Sequence, residues 1–164
     1  MLTRLLVTGA LILDLAAASA SAQVGNEYTD NPSSPLLNSS GPTTLVGMHA
    51  CDGPHLMSGV HIADNKLLCL GVGSSAAGDI YRYVDNGTET TIDGLKMHTC
   101  QAGFAMKGIY AAGWDTLLCT QANLGPVHGD DNTQRMGMHA CPPGQVMVGI
   151  HVARNILACA PVLN

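Results

Sequence analysis

Three stretches of this chain repeat one another almost without gaps: MHACDGPHLMSGVHIADNKLLC at 48–69, MHTCQAGFAMKGIYAAGWDTLLC at 97–119 and MHACPPGQVMVGIHVARNILAC at 138–159. Repetition on this scale means that one supersecondary unit is used three times and that each unit needs its neighbours to cover its apolar face. Every copy reads Met-His-x-Cys, a Met six residues beyond the Cys, then x-Gly, a β-branched residue, His or Tyr, and a Leu shortly before a closing Cys. The local period is two. In Val146–Val152 the β-branched residues alternate with Met, Gly and His, which is a strand pattern and not a helical one. Pro142-Pro143-Gly144 and Asp52-Gly53-Pro54 stand where the chain must reverse, so each repeat is expected to be a three-strand meander.

One meander cannot bury both of its faces. Three of them packed about a shared apolar centre predict an all-β fold with pseudo-threefold symmetry, β-prism-like or β-trefoil-like, with a stacked solenoid as the alternative. The repeats, at about 45–70, 94–120 and 135–161, then form a single domain over 45–164. Ahead of it, residues 1–22 have a basic Arg4, an apolar run and Ala20-Ser21-Ala22, the layout of a cleaved signal peptide. Residues 23–44, with Pro32, Pro35 and Pro42 among Ser, Asn and Thr, suggest a flexible leader. The expected location is secreted or periplasmic, with no transmembrane anchor after signal cleavage.

The six cysteines bracket the repeats at nearly equal spacing. In an exported chain this predicts the disulfides Cys51–Cys69, Cys100–Cys119 and Cys141–Cys159, each closing a loop worth ~3 kcal/mol of unfolded-state entropy. Thiolate-bound zinc is disfavoured, since no Cys-x-x-Cys pair occurs. The strand glycines Gly59, Gly108 and Gly149 mark either a close backbone approach or a bulge.

Two histidine sets follow the repeats. His49, His98 and His139 precede the first Cys of each unit. Were that strand face to point at the axis, they would converge on a three-nitrogen site for zinc or copper; otherwise each packs in its own unit and satisfies local polar groups. The second set is His61, Tyr110 and His151, in which the tyrosine argues against a metal site. Met48, Met57, Met97, Met106, Met138 and Met147 are expected to fill the core, because the chain has one Phe and one Trp. Between repeats, Asp79, Tyr81, Tyr83 and Asn86 combine hydrogen-bonding and stacking groups suited to a sugar, or else belong to an additional strand over 80–84. His128, Asp130 and Asp131 lie in a turn-forming stretch.

The composition narrows the function classes. Seven Lys plus Arg against twelve Asp plus Glu, with no basic run, exclude a surface that tracks a phosphate backbone, so nucleic acid is not an expected partner. No Gly-x-Ser-x-Gly elbow occurs, and Gly71-Val72-Gly73 is not followed by the helix a dinucleotide site needs. The chain is therefore expected to be a non-enzymatic binding module. It would recognise a glycan or surface polymer through equivalent pockets formed by His61, Tyr110, His151 and the Asp79–Asn86 segment, with no cofactor. The alternative is a metal protein holding zinc or copper through His49, His98 and His139, acting as a hydrolase of an ester or lactone. The sequence leaves the oligomeric state open.

Overall fold

The alternating pattern produces strands throughout the computed structural model, which describes residues 24–30, 48–73, 77–85, 87–110 and 116–163. The predicted signal peptide and residues 31–47 lie outside the described residues. The strands are β1 (Val24–Asp30), β2 (Met48–Ala50), β3 (His55–His61), β4 (Lys66–Val72), β5 (Ala77–Asp85), β6 (Glu89–Ile92), β7 (Leu95–Thr99), β8 (Phe104–Tyr110), β9 (Leu117–Ala122), β10 (His128–Asp130), β11 (Gln134–Arg135), β12 (Met138–Ala140), β13 (Gln145–His151) and β14 (Ile156–Pro161). The described part of the chain is nearly all β, and its only helical element is one 3₁₀ turn at Val152–Arg154.

Three antiparallel sheets result, ordered β1-β4-β3-β12-β11, β10-β14-β13-β7-β6 and β2-β8-β9-β5. Their pairing corrects the expected meander. Only the second and third strands of each repeat form a hairpin, as β3 with β4, β8 with β9 and β13 with β14. The first strand leaves its own unit: β2 pairs with β8, β7 with β13, and β12 with β3. The Pro- and Gly-containing segments between the first and second strands therefore carry the chain from one sheet to another and do not close a hairpin.

The repeated glycines make this exchange possible. Each lies just past a β-bulge, and a Cβ on Gly59, Gly108 or Gly149 would stand 2.7, 2.5 or 2.4 Å from the carbonyl oxygen of His139, His49 or His98 on the incoming strand. Only a residue without a side chain lets the two backbones approach so closely. Both sequence expectations for these glycines, close approach and bulge, are met together.

The three predicted disulfides form within their repeats, with Cα–Cα distances of 5.7, 5.8 and 5.5 Å. Their sulfurs lie in a central apolar cluster with Met57, Met106 and Met147, all fully buried, and with Val60, Ile109 and Ile150. A second cluster joins Leu56, Leu70, Met97, Val146 and Ala158.

Part of the predicted leader is also corrected. Val24–Asp30 forms β1 along β4, with Glu27 opposite Leu70 and Tyr28 opposite Cys69. It is held there by particular groups: the Tyr28 hydroxyl accepts the Asp52 N–H at 2.9 Å, and its ring meets the His55 ring edge-on. Glu27 accepts two bonds from Arg135, at 2.6 and 2.7 Å. The strand was hidden because Gly25, Asn26, Glu27 and Asp30 are disfavoured in strands and only Val24, Tyr28 and Thr29 favour one, so pairing along β4 rather than propensity makes it.

Candidate functional site

Strand exchange decides where the histidines go. Because β12 lies against β3, His139 is opposite Val60 and its neighbour His61 closes the same edge. Because β7 lies against β13, His98 is opposite Ile150 and beside His151. The two sets, separate in sequence, therefore meet in pairs. A depression of about 300 Å³ is lined by His61, Ile62, Gln134 and His139, and another of about 370 Å³ by His98, His151, Glu89 and Lys96. Gln134 and Glu89 are equivalent, each standing opposite the first-strand histidine of its own hairpin.

Within each depression the first-strand histidine is the floor and the second-strand histidine is the accessible group. His139 is 5% exposed and the His98 side chain 15%, whereas the His61 side chain is 39% exposed. The rims differ in charge: Glu89 and Lys96 form an ion pair at one pocket, while the other has neutral Gln134. His49 and Tyr110 occupy the third corresponding place on β2 and β8, with Met48 opposite Tyr110. That position continues into residues 111–115, outside the described residues.

An aspartate, which sequence reasoning did not connect to the histidines, backs two of them. Asp85 and Asp130 end β5 and β10 opposite Leu117 and Leu157, and Asp30 ends β1 opposite Leu67 in the same register. Asp85 accepts the backbone N–H of Gly87 and Thr88, at 3.0 and 2.7 Å, and the Thr88 hydroxyl at 2.6 Å; His98 Nε2 lies 2.9 Å away. Asp130 repeats the arrangement with the backbone N–H of Asn132 and Thr133 and the Thr133 hydroxyl, and His139 Nε2 is 3.4 Å from it. Burial raises the carboxyl pKa of Asp85, but the Thr88, Gly87 and His98 contacts outweigh it and hold the group at about 2. The same opposing causes leave Asp130 below its ordinary value. A detectable signal existed: Asp85-x-x-Thr88 and Asp130-x-x-Thr133 each precede a Met-His pair.

The structure does not bring His49, His98 and His139 together. They stand on three different sheets and face separate partners, His49 Nδ1 lying 3.4 Å from Asn65 Oδ1. Among the described residues no three His, Cys, Asp or Glu side chains are grouped as a metal site would require. Asp79, Tyr81 and Tyr83 lie on β5, which pairs with β9 and sets Tyr83 opposite Cys119, so the additional-strand reading of this segment holds; Asn86 lies outside the described residues. His128 begins β10 opposite Cys159. No described helix is long and apolar enough to cross a membrane. Compared with known proteins, the chain matches no protein-family model, no curated protein and no solved structure.

Proposed function

We propose that the chain is an exported, disulfide-stabilised binding module that recognises a glycan or another surface polymer through repeated pockets, and that its three sheets are related by approximate threefold symmetry in a β-prism-like arrangement. The observation that carries the functional reading is the pairing of the two histidine sets into equivalent depressions, His61 with His139 and His151 with His98. Each offers an accessible imidazole over a floor held by an aspartate-anchored turn. Such a surface can exchange hydrogen bonds with sugar hydroxyls and pack against an apolar sugar face without large rearrangement. Two or three weak sites on one rigid body combine into useful avidity on a repeating polymer. Three disulfides support an oxidising, extracytoplasmic setting.

The test is retention of the intact, oxidised protein on a panel of immobilised neutral polysaccharides. His61→Ala and His151→Ala should each weaken retention severalfold, and the double variant should lose most of it. Absence of retention on every polymer, or complete loss from either single change, would refute binding through equivalent pockets.

A further inference from the structure

Midway along the second strands the repeats differ in a way that points to a ligand. Each bulge leaves one residue, Ser58, Lys107 or Val148, whose carbonyl accepts the N–H of the first Cys of another repeat: Cys141 to Ser58, Cys51 to Lys107 and Cys100 to Val148. Three corresponding niches follow, each next to the segment that leads from a first strand to a second. Two of them contain a basic side chain. Lys107, 3% exposed, donates through Nζ to the carbonyls of Gly53 and His55, the latter at 2.8 Å. At Ser58 the cation comes from another strand: Arg135 binds Glu27, which also accepts the Ser58 hydroxyl at 2.7 Å.

The third niche has neither group. Val148 replaces the lysine, and Thr90, opposite Met97 as Arg135 is opposite Met138, replaces the arginine. A cavity of about 270 Å³ opens there, lined by Val148, Thr90, Thr99, Ala102, Phe104 and Leu124. Ala102 and Phe104 are the residues equivalent to Gly53 and His55, whose carbonyls hold the Lys107 ammonium. The cavity is smaller than most sites for drug-sized ligands, ~300–1,000 Å³. Its walls, with Val148, Phe104 and Leu124, suit a short aliphatic stem.

We propose that this cavity is a site for a primary alkylammonium group, occupied from outside in the way Lys107 occupies the neighbouring niche from within. The ligand is either a free aliphatic amine or a lysine side chain of a partner, two sources of one chemistry. The net charge of −5 favours approach of a cation. The site is independent of the polymer-binding pockets, and neither proposal depends on the other.

The experiment titrates the intact protein with n-butylamine, Nα-acetyl-lysine N-methylamide and the neutral isostere n-butanol, reading backbone amide shifts by NMR. n-Butylammonium should give a saturable response centred on Cys100–Phe104 and Val148, at least tenfold tighter than n-butanol. A comparable response to the lysine amide assigns a side-chain ligand, whereas binding of butylammonium alone assigns a free amine. Val148→Lys should abolish the response by supplying the ammonium internally; if that variant does not fold, Thr90→Arg serves from the other strand. Lys107→Ala opens the neighbouring niche, and n-butylamine should raise its Tm more than that of the parent. Equal binding of n-butanol, unchanged binding in the filled variants, no rescue of Lys107→Ala, or no response at roughly 100 mM amine would each overturn the proposal; at that concentration a complex with Kd near 10 mM is largely formed.

Discussion

Two neighbouring layers of this molecule treat the repeats in opposite ways. In the central cluster the three units contribute matching residues: a disulfide each, Met57, Met106 and Met147, then Val60, Ile109 and Ile150. One residue beyond each of those methionines, at the bulge, they contribute a serine, a lysine and a valine, all buried. The contrast shows which positions have to agree. Side chains that meet at a common centre must fill one volume jointly, so a change in one unit is felt by the other two. Bulge residues each face a separate niche with separate walls, and each can be solved by different chemistry.

The comparison is most severely tested in the centre. Met57→Ala, Met106→Ala and Met147→Ala should each cost about 2–5 kcal/mol, the usual range for truncating a fully buried side chain. The three values should agree within ~1 kcal/mol in denaturant titrations with the disulfides intact. A wide spread would mean that the centre is not shared equally. A smaller and uneven effect is expected at the bulges. Lys107→Met leaves the carbonyls of Gly53 and His55 without their donor and should cost about 1–3 kcal/mol, whereas Val148→Met extends into existing space and should change stability by less than ~1 kcal/mol. Equal costs at the two sites would erase the distinction between the layers.

The aspartate-anchored turns lie between these extremes, since two repeats use the same device. With its pKa held at about 2 in the folded state against an ordinary 3.8, Asp85 contributes stability that is complete above pH 4 and is lost as the pH falls towards 2. After allowance for solvent screening the contribution is about 1–2 kcal/mol. Asp85→Asn should flatten the loss of Tm between pH 4 and pH 2, and an unchanged acid profile would place the dependence elsewhere.

The residues that repeat announce themselves in the sequence, and those that carry the individual character of each niche do not. Cysteine spacing, strand periodicity and the recurring glycines are local signals, and the disulfides, the strands and the bulges follow from them. Strand exchange is not local. A three-residue strand such as Met138–Ala140 has the same pattern whichever sheet it joins, and only the clearance above Gly59 reveals that its partner comes from another repeat. The pairing of His61 with His139 was hidden for the same reason. Lys107 was obscured differently: at a position that also holds serine and valine, it resembles a solvated surface residue until the bulge turns its stem inward.

The loan of strands between repeats also governs how the chain can be made. β3 and β4 can form their hairpin as soon as both have been made, but the far edge of β3 awaits β12, which follows only after the second repeat. Until then that edge offers unpaired backbone groups to any other growing chain. Once β12 has been made, two neighbouring chains can satisfy each other by lending it across, because the pairing that closes one molecule is chemically identical to one that links two. Crowding of nascent chains therefore selects between a monomer and an interlocked oligomer with the same native contacts.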